Sequence, residues 1–216
     1  MVSTESGAQG GDPRERILDA AAEVFAERGF GGAGVDEIAR RAGVNKAMLY
    51  YYVGDKAALF GEVVSACVGR ISEAVTAALA ETEDPRARLQ AIPRAFVRTV
   101  RERPFLPQLM LREIAAGGPN LPPHVLGRMA EVMGMTKAVL EDGLAKGVFR
   151  KVDPLVAHLL LIGTTMFMAN ALRMRERISG VLGHAIEGPT ELDAMSDQMV
   201  DIALNGIATN EARGGS

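Results

Sequence analysis

Residues Val35–Tyr52 read VDEIARRAGVNKAMLYYY, and the fold of the chain turns on them. Two short helical patterns, Val35–Ala42 and Asn45 to about Tyr52, meet at Ala42, Gly43 and Val44. Gly43 is the residue type that tolerates a positive φ, so it can stop the first helix in a left-handed turn. Small Ala39 lets two helices cross closely, with Ile38, Val44 and Leu49 turned inward, while Asp36, Glu37, Arg40 and Arg41 are left to solvent. Asn45 suits the N-cap of the second helix. The spacing predicts a helix-turn-helix, whose second helix enters the major groove of DNA. Its outer face has the right chemistry: Lys46 is a point charge, Tyr50 and Tyr51 carry hydroxyls on rigid rings, and the helix N-terminus favours a phosphate. A plain helical hairpin with solvated charges is the alternative for the turn taken alone.

The flanking residues extend the pattern. Asp12-Pro13-Arg14-Glu15 reads as a helix start, with Asp12 at the N-cap, Pro13 at the first helical position and Glu15 placed for a capping box. Ile17, Leu18, Ala21, Val24 and Phe25 follow as one apolar stripe, and Gly29 ends it as a left-handed cap. After Gly54, Asp55 caps a long fourth helix carrying Leu59, Phe60, Val63, Val64, Val68, Ile71, Val75 and Leu79. Lys56 lies in that helix's first turn, where the macrodipole prefers an anion, and a DNA phosphate would relieve the mismatch.

The segments Pro13–Phe30, Val35–Val44, Leu49–Tyr51 and Asp55–Phe60 together resemble the DNA-binding domain of the TetR family of regulators, in register and with the spacing between motifs kept. The resemblance implies a three-helix DNA-binding domain on a helical ligand-binding and dimerisation domain. It puts Lys46, Ala47 and Tyr50 near the bases, and Tyr51, Tyr52 and Lys56 at the phosphates. Ala33-Gly34 stand where the family often has a Thr or Ser, so one hydroxyl–phosphate contact is missing. Met48 stands where Thr is frequent, and Tyr52 where His is frequent.

Composition limits the other readings. A formal net charge of −3 is not the basic excess of a protein whose whole surface tracks nucleic acid, so DNA binding must come from a local patch. The single cysteine, Cys67, cannot form an intramolecular disulfide, which favours a reducing compartment, and it reads as a small buried helix residue. Leu155–Leu172 is nearly all apolar, but His158, Thr164, Thr165 and Asn170 interrupt it and no aromatic belt flanks it. It reads as a soluble protein's helix buried on several sides, not as a membrane span.

Beyond the fourth helix, proline and glycine punctuation separates apolar-periodic helices near 86–102, 105–116, 122–146, 154–178 and 190–208. Nine of the eleven methionines fall between Met110 and Met199, and adaptable thioethers suit a cavity for variable apolar ligands. Phe96, Met110, Met129, Met133, Met166 and Phe167 are the pocket candidates. His158 shares a helical face with Ile162, Thr165 and Ala169; a polar pocket anchor and a hydrogen-bonded core or interface histidine both fit it. No His/Cys/Asp/Glu group has metal-ligand spacing, and no phosphate loop or nucleophile elbow is present. Glu113, Glu131 and Glu141 read as solvated helix positions.

The expectation is an all-α chain: a disordered lead over 1–11, a three-helix helix-turn-helix DNA-binding domain over 12–55, a helical ligand-binding and dimerisation domain over 56–208, and a disordered tail over 209–216. It would act in the cytoplasm as a homodimeric repressor on a palindromic double-stranded DNA operator, released by a small apolar or amphipathic effector, with no cofactor, metal or membrane. An activator or a ligand-independent regulator is the alternative, and a small helical enzyme the alternative of another class. The dimer is expected from the helices near 154–178 and 190–208, where Leu192, Met195, Met199, Ile202 and Ile207 form a stripe and Gly163 and Ala169 allow close approach.

Overall fold

Each N-terminal helix begins and ends on a residue whose chemistry fixes the boundary. The computed structural model describes residues 12–207; the expected lead over 1–11 and tail over 209–216 lie outside the described residues. Helix α1 (Pro13–Gly32) opens on Asp12, whose carboxylate accepts the Arg14 N–H at 3.0 Å. Gly29 does not end α1 as a left-handed cap. Its φ of 69° and ψ of 173° make a kink, and one more turn follows, closed by the Ala33 N–H on the Gly29 carbonyl. Only glycine takes that backbone conformation without strain.

Helix α2 (Val35–Ala42) ends on Gly43 in the left-handed region, and the Val44 N–H reaches back to the Ala39 carbonyl at 3.0 Å. Helix α3 (Lys46–Val53) is capped by Asn45, which accepts the Met48 N–H at 2.8 Å. Asp55 does the same for α4 (Lys56–Ala80) through Ala58. The rings of Phe25, Phe30 and Phe60 meet at 5.0–6.2 Å between centroids, two of the three pairs edge to face. Ile17, Val24, Ile38, Leu49 and Leu59 complete a fully buried core around them.

The chain divides into two compact units between Val63 and Val64, inside α4. The second unit continues with α5 (Pro85–Glu102), α6 (Leu106–Ala115) and α7 (Pro123–Ala145). Asp84 caps α5 through the Ala87 N–H. On α7, Gly143 has no Cβ, and the Phe149 ring occupies the space one would need. Next come α8 (Pro154–His158), a π-helical segment (Leu159–Gly163), α9 (Thr164–Leu182) and α10 (Leu192–Ile207). The Arg175 guanidinium donates to the backbone carbonyls of Ile186, Gly188 and Pro189, which holds the α9–α10 loop. Arg150 donates from its backbone to Ile207 and from its side chain to Gly206, closing the C-terminal end of α10.

Among the described residues no strand forms, and the protein is all-α. Two helical stretches, Lys56–Ala80 and Pro154–Leu172, are long and apolar enough to cross a membrane by length and composition alone. Within one chain the second is not buried on several sides, as its composition suggested. Only the Ala157, Leu161, Ile162, Thr165 and Met166 side is buried, while Leu155, Val156, Leu159, Leu160 and Phe167 are exposed and the rest is half-buried.

Candidate nucleic-acid interface and cavities

The two turns of α3 and the first turn of α4 carry the six residues expected at DNA. Lys46, Ala47, Tyr50 and Tyr51 are exposed, Tyr51 at 84%, while Tyr52 and Lys56 are half-buried. The Tyr51 and Tyr52 rings meet edge to face at 5.3 Å, which limits the freedom of the outer ring. Lys56 is not left bare in the first turn of α4. Its ammonium sits 4.8 Å from the centre of the Phe30 ring and 3.4 Å from the Gly31 carbonyl oxygen, so a quadrupole and a carbonyl position it.

Charge on α2 is organised by ion pairs rather than left free in solvent. Arg41, only 23% exposed, reaches Glu27 of α1 at 2.7 Å and Glu37 at 2.9 Å, and Arg40 grips Glu37 with two bonds of 2.8 and 3.0 Å. The Arg40 and Arg41 guanidiniums together bring the Glu37 carboxyl down to about 2, and Arg41 lowers Glu27. Both arginines are raised in turn. The effect is to fasten α2 to α1 and to leave Lys46 and Lys56 as the cations of this surface's helix ends. Lys46 pairs with Asp36 at 3.0 Å, and that carboxylate raises its ammonium's pKa. This α2–α3 clamp was not legible in sequence, where Asp36 looked merely solvated.

In the second unit the seven pocket candidates are dispersed. Phe96, Met110 and Met166 are buried, and Met129 and Met133 are half-buried on α7. Phe167 is 64% exposed. The His158 Nδ1 lies 3.0 Å from the hydroxyl of fully buried Thr136 on α7, and burial lowers the imidazole's pKa. Glu113 is not a solvated position: it is buried on α6 and accepts hydrogen bonds from the Asn120 side chain, which folds the α6–α7 loop over it. Glu131 and Glu141 are exposed. Cys67 is buried, as its surroundings suggested.

Among the described residues of this unit, cavities open between the helices. One, of about 510 Å³, lies among α8, the π-helical segment and α10, with Leu160, Leu161, Met195, Met199 and Ile202 in its walls and Arg150 and Gln198 as polar members. None of the seven candidates is among its lining residues. A second, of about 410 Å³, is walled by Phe167, Leu172, Met174, Ile178 and Met195, and so takes in one of them. Another, of about 530 Å³, lies between α5 and α10 and has both charged and apolar side chains in its walls. Among the described residues no group of three or more His, Cys, Asp or Glu side chains could hold a metal ion.

Comparison with known proteins bears on the family and the fold. Residues 17–63 match the model of bacterial regulatory proteins of the tetR family, and residues 66–210 match the YcdC-like protein C-terminal region. The chain is 29% identical over 164 residues to the transcriptional repressor NicS of Pseudomonas putida, covering 74% of this chain and 76% of that one. It is 45% identical over 83 residues to the transcriptional activator FasR of Mycolicibacterium smegmatis, a match spanning 38% of each chain. The solved structure of the TetR family regulator PfmR from Thermus thermophilus superposes with a TM-score of 0.63 at 25% identity, over 88% of this chain and 97% of that one. The chain belongs to the TetR family of bacterial transcriptional regulators, and it is not an enzyme.

Proposed function

We propose that the protein is a ligand-responsive repressor that binds a palindromic operator as a homodimer. The observation that carries this reading is the pairing of two features in one chain. One is an exposed recognition face on α3, with Lys46, Ala47, Tyr50 and Tyr51 outward. The other is an apolar surface on α8, the π-helical segment and α9 that a single chain leaves uncovered, with Leu155, Val156, Leu159 and Phe167 exposed. A contiguous apolar surface of this kind marks an interaction site. Two copies joined on it by a two-fold axis would present two recognition helices to two half-sites, about 34–36 Å apart or a multiple of that.

Lys46, Ala47 and Tyr50 read base edges in this proposal, while Tyr51, Tyr52 and Lys56 bind phosphates. The effector is small and apolar or amphipathic, and the apolar cavity bordered by Met195 and Met199 suits it. It acts by population shift, preferring a state in which the spacing of the two recognition helices no longer fits the groove. Helix α4, which contributes residues to both units, is the connection we assign to this signal. The name of the relative FasR keeps activation as the second reading. Footprinting on the DNA flanking the protein's own gene tests the proposal. Protection of an inverted repeat, lost on adding a hydrophobic compound that raises the Tm, supports it. Binding without dyad symmetry, or a thermal response to divalent metals alone, overturns it.

A further inference from the structure

Among the described residues of the first unit, the exposed large apolar side chains all lie on one helix: Met48, Tyr50 and Tyr51, at 36%, 44% and 84%. Every Val, Leu, Ile and Phe described in that unit is buried or half-buried. The helix is α3, the second of the helix-turn-helix, and Lys46, Ala47 and Met48 are its first three residues. The first residues of a recognition helix are the ones that meet base edges. Met48 therefore places an exposed thioether where bases are read, beside the three base-edge residues assigned above.

The polar side chains of α3 leave that task to apolar groups. Two hydrogen bonds to one purine edge take an Arg or Lys on guanine, or an Asn or Gln on adenine. Lys46–Val53 contains no Arg, Asn or Gln. The helix cap, Asn45, spends its side-chain oxygen on the Met48 N–H at 2.8 Å, so its amide does not offer adenine a donor and an acceptor together. Lys46 is the sole cation of α3, and Asp36 holds its ammonium with both carboxylate oxygens, at 3.0 and 3.2 Å. Arg40 and Arg41 of α2 are engaged by Glu27 and Glu37. In the major groove one base edge carries an apolar group, the C5-methyl of thymine.

We propose that Met48, with its neighbour Ala47, recognises thymine C5-methyl groups, and that the DNA site carries thymine where the N-terminal turn of α3 enters the groove. A flexible thioether settles on a methyl without a fixed geometry, and covering one methyl is worth about fourfold in affinity. The contact releases no counterions, so it keeps its value as salt rises. This specificity rests on α3 meeting base edges, as assigned above.

The test uses duplex DNA selected by the full chain from a random library, remade with uracil for thymine at one position at a time. The exchange removes the C5-methyl and keeps every hydrogen-bonding group of the base. We expect exchange under α3 to weaken wild-type binding about fourfold per methyl, and exchange in the flanks to change nothing. That ratio should stay constant between about 50 and 200 mM salt while the affinity itself falls steeply. Met48→Ala keeps the Asn45 cap, which uses the backbone N–H, and should match the wild type by circular dichroism. It should bind the thymine DNA more weakly and lose less than the wild type on uracil exchange, because the two changes remove one contact. If the variant does not fold, the wild-type exchange decides alone. A chain that selects no sequence overturns the reading of α3 as the base-edge helix, and this proposal with it. A selected site without thymine, uracil forms that bind as tightly, or a Met48→Ala chain that loses as much as the wild type would overturn this proposal alone.

Discussion

The two units of this chain solve the same problem, burying helix faces, in opposite ways. The N-terminal unit is filled: three phenylalanine rings and a set of fully buried aliphatic side chains close its centre, and Arg14, Arg40 and Arg41 are spent on carboxylates of the same unit. The C-terminal unit is open: cavities of about 410 to 530 Å³ lie between its helices, and one apolar helix face has no cover within the chain. A surface that reads DNA has to hold side chains within narrow limits, so rigidity serves it. A surface that admits ligands and a second subunit needs unfilled volume and unpaired apolar area. On the proposed function, the contrast places stability and responsiveness in different parts of the sequence.

The sharpest way to break the contrast compares two charges in the open unit. Met199→Asp puts a carboxylate at a buried position and should destabilise the chain by upward of about 4 kcal/mol, seen as a large drop in the urea midpoint. Phe167→Asp falls on the uncovered face and should leave the monomer folded while abolishing the dimer, measured by sedimentation at micromolar protein. A Phe167→Asp chain that still dimerises would remove this face from the interface. In the filled unit, Phe60→Ala deletes the ring shared by Phe25 and Phe30 and should cost about 3–4 kcal/mol. If it costs under about 1 kcal/mol, that unit has slack and the contrast fails.

Smaller effects sharpen the same picture at the DNA surface. Lys56→Ala should weaken binding to all DNA sequences and lower the salt slope by about one phosphate contact, as read from affinity at several salt concentrations. An unchanged slope would mean that Lys56 serves only the Phe30 ring. The smallest effect is a titration. The Glu37 carboxyl is depressed from 4.5 to about 2 in the folded chain, so its contribution is complete above about 4.5 and is lost as pH falls toward 2. Glu37→Gln should flatten the fall in Tm with acid over that window, modestly, because the pair is solvent-screened. Equal pH profiles for both chains would show that the Arg40–Glu37–Arg41 cluster does not secure α2.

Legibility in the sequence follows the same division. Gly43, Asn45 and Asp55 act on backbone groups a few residues away, so the helix-turn-helix and its caps could be read directly. The Gly29 kink was harder, because a positive φ alone does not distinguish a cap from a bend. The α5–α10 cavity was out of reach: Arg94 and Asp197 are 103 positions apart, and only the packing of α5 on α10 joins them. Glu113 looked solvated because its cover, Asn120, comes from a loop whose path local periodicity does not predict. The placement of the apolar cavity depends likewise on how α8 and α10 meet.

The π-helical segment Leu159–Gly163 has a further consequence for how the open unit is wound. Along an ordinary α-helix each residue advances about 100°, so Ala157 and Thr165, eight positions apart, would point about 80° away from each other. Both are buried here, together with Leu161 and Ile162 between them. The wider turn works as a phase correction, taking up an extra residue so that one inward stripe continues from α8 into α9. Shortening the segment by a single residue would turn the whole of α9 by about 100° about its own axis. Phe167 would then rotate off the outer face, so in the proposed dimer that one turn sets the azimuth at which the chain meets a second copy.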